Sequence, residues 1–290
     1  MRRQFILQCR AGIILLVLGL SACAGQHPVI NESTGLAEKP YRILITNDDG
    51  IQSEGIRQLA LGVSEFADVV VVAPEKNESG ASQSSRIFRV RAQAAPVEMG
   101  DSVSAYALNA TPADCVAFGI MVFGKDEPFD LVVSGINKGG NVGSSYLYSG
   151  TIGAAFEALV NGIPAIAVSQ DTRRETFDLT VDFTAEVIKS VLAEPMANGE
   201  LLSINVPAGD IRGVKALPAD LQPYNVKLER VEDEAGSFYK PGIHPLDQPY
   251  DGYDIQSFRD GYITITPLTL DRNAYESLDV LSQRSFIKTW

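Results

Sequence analysis

Two adjacent carboxylates, Asp48 and Asp49, stand between Asn47 and Gly50, directly after the apolar run Ile43-Leu44-Ile45. Neighbouring side chains within a strand point to opposite faces. Just past a strand end, a bend permitted by Gly50 lets both carboxylates converge on one point. Two hard oxygen donors placed there suit a divalent cation such as Mg²⁺ or Mn²⁺. The same four residues also read as a polar turn leading into a helix cap.

Three further segments carry related chemistry: residues 73–82 with Ser79-Gly80, residues 134–141 with Asn137, and residues 148–153 with Ser149-Gly150-Thr151. Together they offer a hydroxyl, an amide oxygen and glycine-rich backbone whose N–H groups can hold a phosphate. Taken singly, a Ser-Gly pair is a turn, a Gly-rich loop is a tight connection, and Ser149 is an N-cap.

The elements between these loops alternate. Ile43 to Ile45, Val69 to Ala73, Ser104 to Leu108, Leu131 to Val133, Ala165 to Val168 and Leu202 to Val206 read as strands. Helices are expected after Ser53, from Thr111-Pro112-Ala113-Asp114, over Gly150 to Asn161, and over Phe177 to Leu192. Repeated strand–helix–strand units imply an α/β fold with a doubly wound, mostly parallel sheet. Loops after parallel strands share one sheet edge, so the four segments meet there. Two carboxylates, a hydroxyl and an amide oxygen can then meet on one metal, and Asn47, Gly80, Ser149, Gly150 and Thr151 are the phosphate-binding candidates. Past Pro207 the sequence turns rich in Pro, Gly, Tyr and Asp. Residues 208–290 read as a β-rich extension and C-terminal arm of the same domain, following a catalytic core over 41–207. In that extension Tyr262 to Thr266 alternates as a half-exposed strand, which as an unpaired edge must find a partner.

Ordered blocks across the chain resemble the SurE family of bacterial 5′-nucleotidases. They are residues 43–51, 71–74, 79–82, 111–116, 130–139, 147–155, 162–169 and 261–268. The resemblance implies a Rossmann-like domain and metal ligation by Asp48, Asp49, Ser79 and Asn137, with Asp48, Asp49 and Asn137 as the catalytic residues. It implies hydrolysis of nucleoside monophosphates, in some members also of 3′-nucleotides or short polyphosphate. It also implies a hairpin and arm that build a homodimer or homotetramer. Some family positions differ: Gln52-Ser53-Glu54 replaces His-Ala-Pro, Ser144-Ser145 replaces an Asp pair, and Glu78 stands where Arg is common. Glu78 puts negative charge beside Ser79, which is expected to disfavour polyphosphate.

The first 22 residues read as a signal peptide, with Arg2 and Arg3 before a short apolar stretch. Leu20-Ser21-Ala22-Cys23 resembles a lipobox, so Cys23 is expected to carry lipid and residues 23–40 to form a tether. Ala24 after the cysteine resembles an outer-membrane destination facing the periplasm. Cleavage leaves Cys115 as the one thiol, placed in an apolar helix as core. Loss of Arg2, Arg3 and Arg10 leaves 21 basic against 36 acidic residues, a net of −15. Such a chain repels polynucleotides, so no nucleic-acid polymer is expected as partner.

Other chemistries fit poorly. Gly-x-Ser-x-Gly does not occur, and the histidines are His27 and His244, outside all four loops. No Gly-x-Gly-x-x-Gly follows the first strand. The alternative is a lipoprotein that keeps the fold and binds nucleotides or a partner without catalysis.

Overall fold

β1 (Arg42–Thr46) is buried at every position, as a strand flanked on both edges and covered on both faces must be. From it the chain runs through α1 (Glu54–Ser64), β2 (Asp68–Pro74), β3 (Ala94–Val97), β4 (Val103–Leu108), α2 (Pro112–Val122) and β5 (Leu131–Lys138). A 3₁₀ turn (Gly143–Leu147), α3 (Gly150–Val160), β6 (Ala165–Gln170), α4 (Asp178–Ala193) and β7 (Glu200–Val206) follow. The extension adds β8 (Gly213–Ala216), β9 (Asn225–Asp233), β10 (Gly236–His244), α5 (Asp254–Arg259), β11 (Tyr262–Thr269) and α6 (Tyr275–Ser282). This computed structural model describes residues 40–86, 91–222, 225–233, 236–244, 248–284 and 286–287. The expected leader, Cys23 and all of the tether but Pro40 lie outside the described residues. Among the described residues, no helix is long and apolar enough to cross a membrane.

The main sheet has the order β3-β4-β2-β1-β5-β6-β7-β11-β8. β4, β2, β1, β5, β6 and β7 are mutually parallel. β3 and β11 run antiparallel to their neighbours β4 and β7. The chain winds outward from β1 through β2 to β4, then returns to β5 on the other side of β1. Connections leaving the carboxyl ends of β1 and β5 therefore diverge, which opens a crevice there.

Two apolar layers cover the sheet. Ile56, Leu59 and Val63 of α1 and Val181, Ile188 and Val191 of α4 pack on Ile43, Ile45, Val71 and Val133. Val116 of α2 and Ile152, Phe156 and Leu159 of α3 pack on Leu44, Val72 and Val132. Cys115 is buried in this second layer as a free thiol, as its apolar setting predicts.

Three expectations change. Ser53 takes the N-cap position of α1 without a side-chain cap bond. Ser134 to Asn137, expected as a loop, continues β5 through a register shift against β6. Tyr262 to Thr266 was expected to need a partner subunit. Instead β11 pairs antiparallel with β7 and parallel with β8 of its own chain. Its Tyr/Thr alternation resembles a solvent-facing pattern, yet Thr264 and Thr266 are buried. The hairpin β9–β10 forms a separate two-stranded sheet.

Candidate metal centre

The crevice at the ends of β1 and β5 holds the two carboxylates, and each of the other three loops bonds to that segment. Lys138 N–H donates to Asp49 Oδ2 at 2.9 Å, which ties in the end of β5. From the second loop, Asn77 Nδ2 donates to Asp49 Oδ1 at 3.3 Å, and Glu78 N–H to the Asp48 carbonyl at 2.8 Å. From the start of α3, the Thr151 hydroxyl donates to Asp48 Oδ1 at 2.5 Å, and its N–H also supports that carboxylate. Gly150 makes this approach possible, because a Cβ there would sit 2.8 Å from the Asp48 Cβ. Gly50 supplies the bend, with φ +98, a conformation that L side chains rarely take.

Asp48 is buried and Asp49 half-buried. Burial raises the Asp48 carboxyl above its ordinary range. The Thr151 hydroxyl offsets part of this and the charge of Asp49 adds to it. Among the described residues, the ion pairs of the chain lie elsewhere. Two like charges, one of them buried and neither balanced by a basic side chain, form a deficit that a divalent cation would fill. Among the described residues no three His, Cys, Asp or Glu side chains group as ligands. The candidate set therefore combines two carboxylates with neutral oxygens. Asn137 donates its Nδ2 to the Gly139 carbonyl at 2.5 Å, which leaves Oδ1 as its acceptor. Ser79 is exposed, and its N–H is held by Asn77 Oδ1 at 2.9 Å. Hard oxygen donors of this kind fit Mg²⁺ or Mn²⁺.

The expected phosphate-binding set divides. Asn47 does not face the crevice as a ligand. Its Nδ2 donates to the Gly50 carbonyl and to Ser53 Oγ, and its Oδ1 accepts the Gly50 N–H, so the buried amide builds the turn. Ser149 Oγ caps α3 by accepting the Ile152 N–H at 3.2 Å, and Thr151 is committed to Asp48. The Thr151 hydroxyl is thus spent on Asp48, whereas Ser149, which only accepts at its cap, keeps its O–H to donate. Helix geometry leaves the Gly150 N–H and the positive end of α3 for an anion. Gly80 lies exposed in the second loop with φ +80.

Glu78 also differs from expectation. Its carboxylate pairs with Arg86 at 2.9 Å, so its charge is balanced locally, and its proposed effect on polyphosphate loses its basis. Residues not singled out by sequence shape the loops. Ser82, at φ +54, donates its N–H to the Tyr148 carbonyl at 3.1 Å and its hydroxyl to the Leu147 carbonyl at 2.8 Å. This stitches the second loop to the approach to α3. Asn77 stands two residues before Ser79, and an Asx residue in that place is the one sequence signal for the turn it makes.

A family model described as survival protein SurE matches residues 43–225. The chain is similar to the protein named 5′-nucleotidase SurE of Thermoanaerobacter sp. (strain X514), at 38% identity over 249 residues, covering 83% of this chain and 97% of that one. It is similar to the 5′/3′-nucleotidase SurE of Escherichia coli O127:H6 (strain E2348/69 / EPEC), at 37% identity over 254 residues, covering 83% and 95%. Among solved structures, the Sure protein from Aquifex aeolicus superposes with a TM-score of 0.74 at 31% identity, covering 83% of this chain and 98% of that one.

Proposed function

The chain belongs to the SurE family, and on that footing we propose that it is a divalent-metal-dependent phosphomonoesterase that hydrolyses nucleoside 5′-monophosphates to nucleoside and phosphate. One observation carries the reading: three separate loops hydrogen-bond to the Asp48–Asp49 segment at a topological switch point. A non-enzymatic binder of nucleotides or partners would not need two uncompensated carboxylates in that crevice.

In the mechanism, Asp48, Asp49, Ser79 and Asn137 would hold Mg²⁺ or Mn²⁺. The ion when bound would neutralise phosphate charge and lower the pKa of a water so that it is deprotonated near neutral pH. Thr151 fixes the orientation of Asp48, and the Lys138 N–H fixes that of Asp49. The bond from Asn137 Nδ2 to the Gly139 carbonyl fixes the amide and leaves its Oδ1 as the free acceptor. The Gly150 N–H and the α3 dipole stabilise negative charge on the transferring phosphoryl group.

The mature chain, with the leader removed, carries a net of −15. A polynucleotide meets that field at many phosphates, whereas a mononucleotide presents one terminal group to the cation. The reading therefore favours monoesters over nucleic acids, with 3′-nucleotides and short polyphosphate as secondary substrates. Cys23 supports anchoring by lipid at the outer membrane, facing the periplasm. The exposed apolar side chains of the hairpin (Leu228, Phe238, Tyr239) and of α6 (Tyr275, Leu278, Leu281) support a homodimer or homotetramer.

A substrate panel tests the reading. With Mn²⁺ or Mg²⁺ present, 5′-monophosphates are expected to release phosphate, with single-stranded DNA, RNA and bis(p-nitrophenyl) phosphate left intact. Cleavage of the diesters at comparable rates would contradict it.

A further inference from the structure

We propose that Asp254, in the C-terminal extension, is a positioning residue for the metal centre: its carboxylate clamps the Gly-rich loop that leaves β5 directly after Asn137 and Lys138. The inference rests on the reading of that centre given above.

The loop between β5 and α3 contains Gly139, Gly140 and Gly143, and glycine-rich backbone has little shape of its own. Its shape must come from neighbours. One wall is the main sheet. Asn141 N–H donates to Asn205 Oδ1 at 2.6 Å, and Asn141 Nδ2 to Ser169 Oγ at 2.8 Å. The other wall is the extension. Gly143 N–H donates to Asp254 Oδ2 at 2.7 Å, across 111 residues of chain. Ser144 adds an N–H to the Asp220 carbonyl at 3.1 Å and a hydroxyl to the Gln222 carbonyl at 2.9 Å. α5 presses directly on this loop. A Cβ at Gly143 would lie 2.4 Å from Ile255 Cδ1, and one at Gly140 would lie 3.0 Å from the Phe258 ring.

Asp254 joins the three segments. Its other oxygen, Oδ1, accepts the N–H groups of Asp220 and Ile255, each at 2.8 Å. The side chain is buried at 1% exposure. A buried carboxylate balanced by backbone N–H groups is costly unless its geometry is needed. The need is visible just upstream, at the end of β5. The Asn137 amide rests on the Gly139 carbonyl, and the Lys138 N–H rests on Asp49. A shift of the loop at Gly143 therefore reaches two groups of the metal centre within a few residues.

The test compares the full chain with Asp254→Asn, which keeps the volume but turns an amide N–H toward a backbone N–H. Mn²⁺ binding is measured by calorimetry without substrate, amide exchange over residues 139–149 by mass spectrometry, and kcat and KM for a nucleoside monophosphate at saturating Mn²⁺. Outer-shell partners of metal ligands typically change affinity or activity by about 10–100-fold. The expected result is Mn²⁺ binding weakened by that order, faster exchange confined to the loop, a fall in kcat, and KM little changed. Ile188→Val, a cut in the distant α4 core, lowers the melting temperature without altering Mn²⁺ affinity. Ser144→Ala removes one bond of the same clamp and gives a smaller weakening in the same direction, which keeps the test open if Asp254→Asn does not fold. Wild-type Mn²⁺ affinity and loop protection in Asp254→Asn, or in Ser144→Ala where the first variant does not fold, would overturn the inference while leaving the nucleotidase reading intact. A wild-type chain that neither binds Mn²⁺ nor releases phosphate would overturn both.

Discussion

Thr151 ties α3 to the candidate metal centre through a 2.5 Å bond from its hydroxyl to Asp48 Oδ1. From sequence alone Thr151 is a phosphate-binding candidate. The adjacency of Asp48 and Asp49 marks the candidate centre because two carboxylates beside a strand end are local in sequence. The tasks of Thr151, Asn47 and Glu78 were not legible, because each depends on which neighbour the fold brings within hydrogen-bond reach. Asn47, a phosphate-binding candidate from sequence, is used by Gly50 and Ser53. Glu78 looked like a free charge but is paired with Arg86, eight residues on. Thr151→Val keeps the shape and removes the hydroxyl. It is expected to reduce activity about 10–100-fold, as loss of a ligand-orienting bond does, with circular dichroism unchanged. Full activity in that variant would show that Asp48 needs no support from α3.

At the scale of elements, the parallel core was legible because continuous apolar runs and helical periodicity are local signals. The start of α2 at Thr111 was equally legible, and the structure closes it as a capping box: Thr111 Oγ1 accepts the Asp114 N–H, and the Thr111 N–H donates to Asp114 Oδ2. Its wider role was not. Asp114 also accepts the Ser85 hydroxyl at 2.7 Å and the Arg86 N–H at 3.0 Å, so it anchors the end of the second site loop. Burial pushes its carboxyl up, but the bonds from Ser85, Arg86 and Thr111 outweigh burial and hold it below the ordinary range. A lowered folded value means stabilisation that is present above the unfolded value, near 3.9, and lost as pH falls through the folded one. Asp114→Asn is expected to cost about 2 kcal/mol at pH 7. In urea unfolding, the gap to wild type should shrink below about pH 4. A gap that stays constant to pH 3 would contradict the assignment. β11 was misread for the opposite reason: alternation reports which side chains share a face, not whether a face is covered.

For the whole molecule, the extension supplies β8 and β11 to the main sheet, α5 to the site loop, and a hairpin and α6 with exposed apolar side chains. The first two roles depend on contacts distant in sequence, which no local pattern reveals. The exposed apolar set argues for self-association. Light scattering of residues 24–290 at micromolar concentration is expected to give at least a dimer, and a monomer would contradict this.

The central claim is that Asp48 and Asp49 hold the cation on which nucleotide hydrolysis depends. It is tested most directly by phosphate release from AMP by residues 24–290, titrated with Mn²⁺, for wild type and Asp49→Asn. The account predicts wild-type turnover that rises with Mn²⁺ and is abolished by EDTA. It also predicts a variant that folds normally yet stays about 100-fold or more slower at saturating metal, because an anionic ligand is lost. Near-wild-type turnover of Asp49→Asn, or wild-type release indifferent to EDTA, would contradict it.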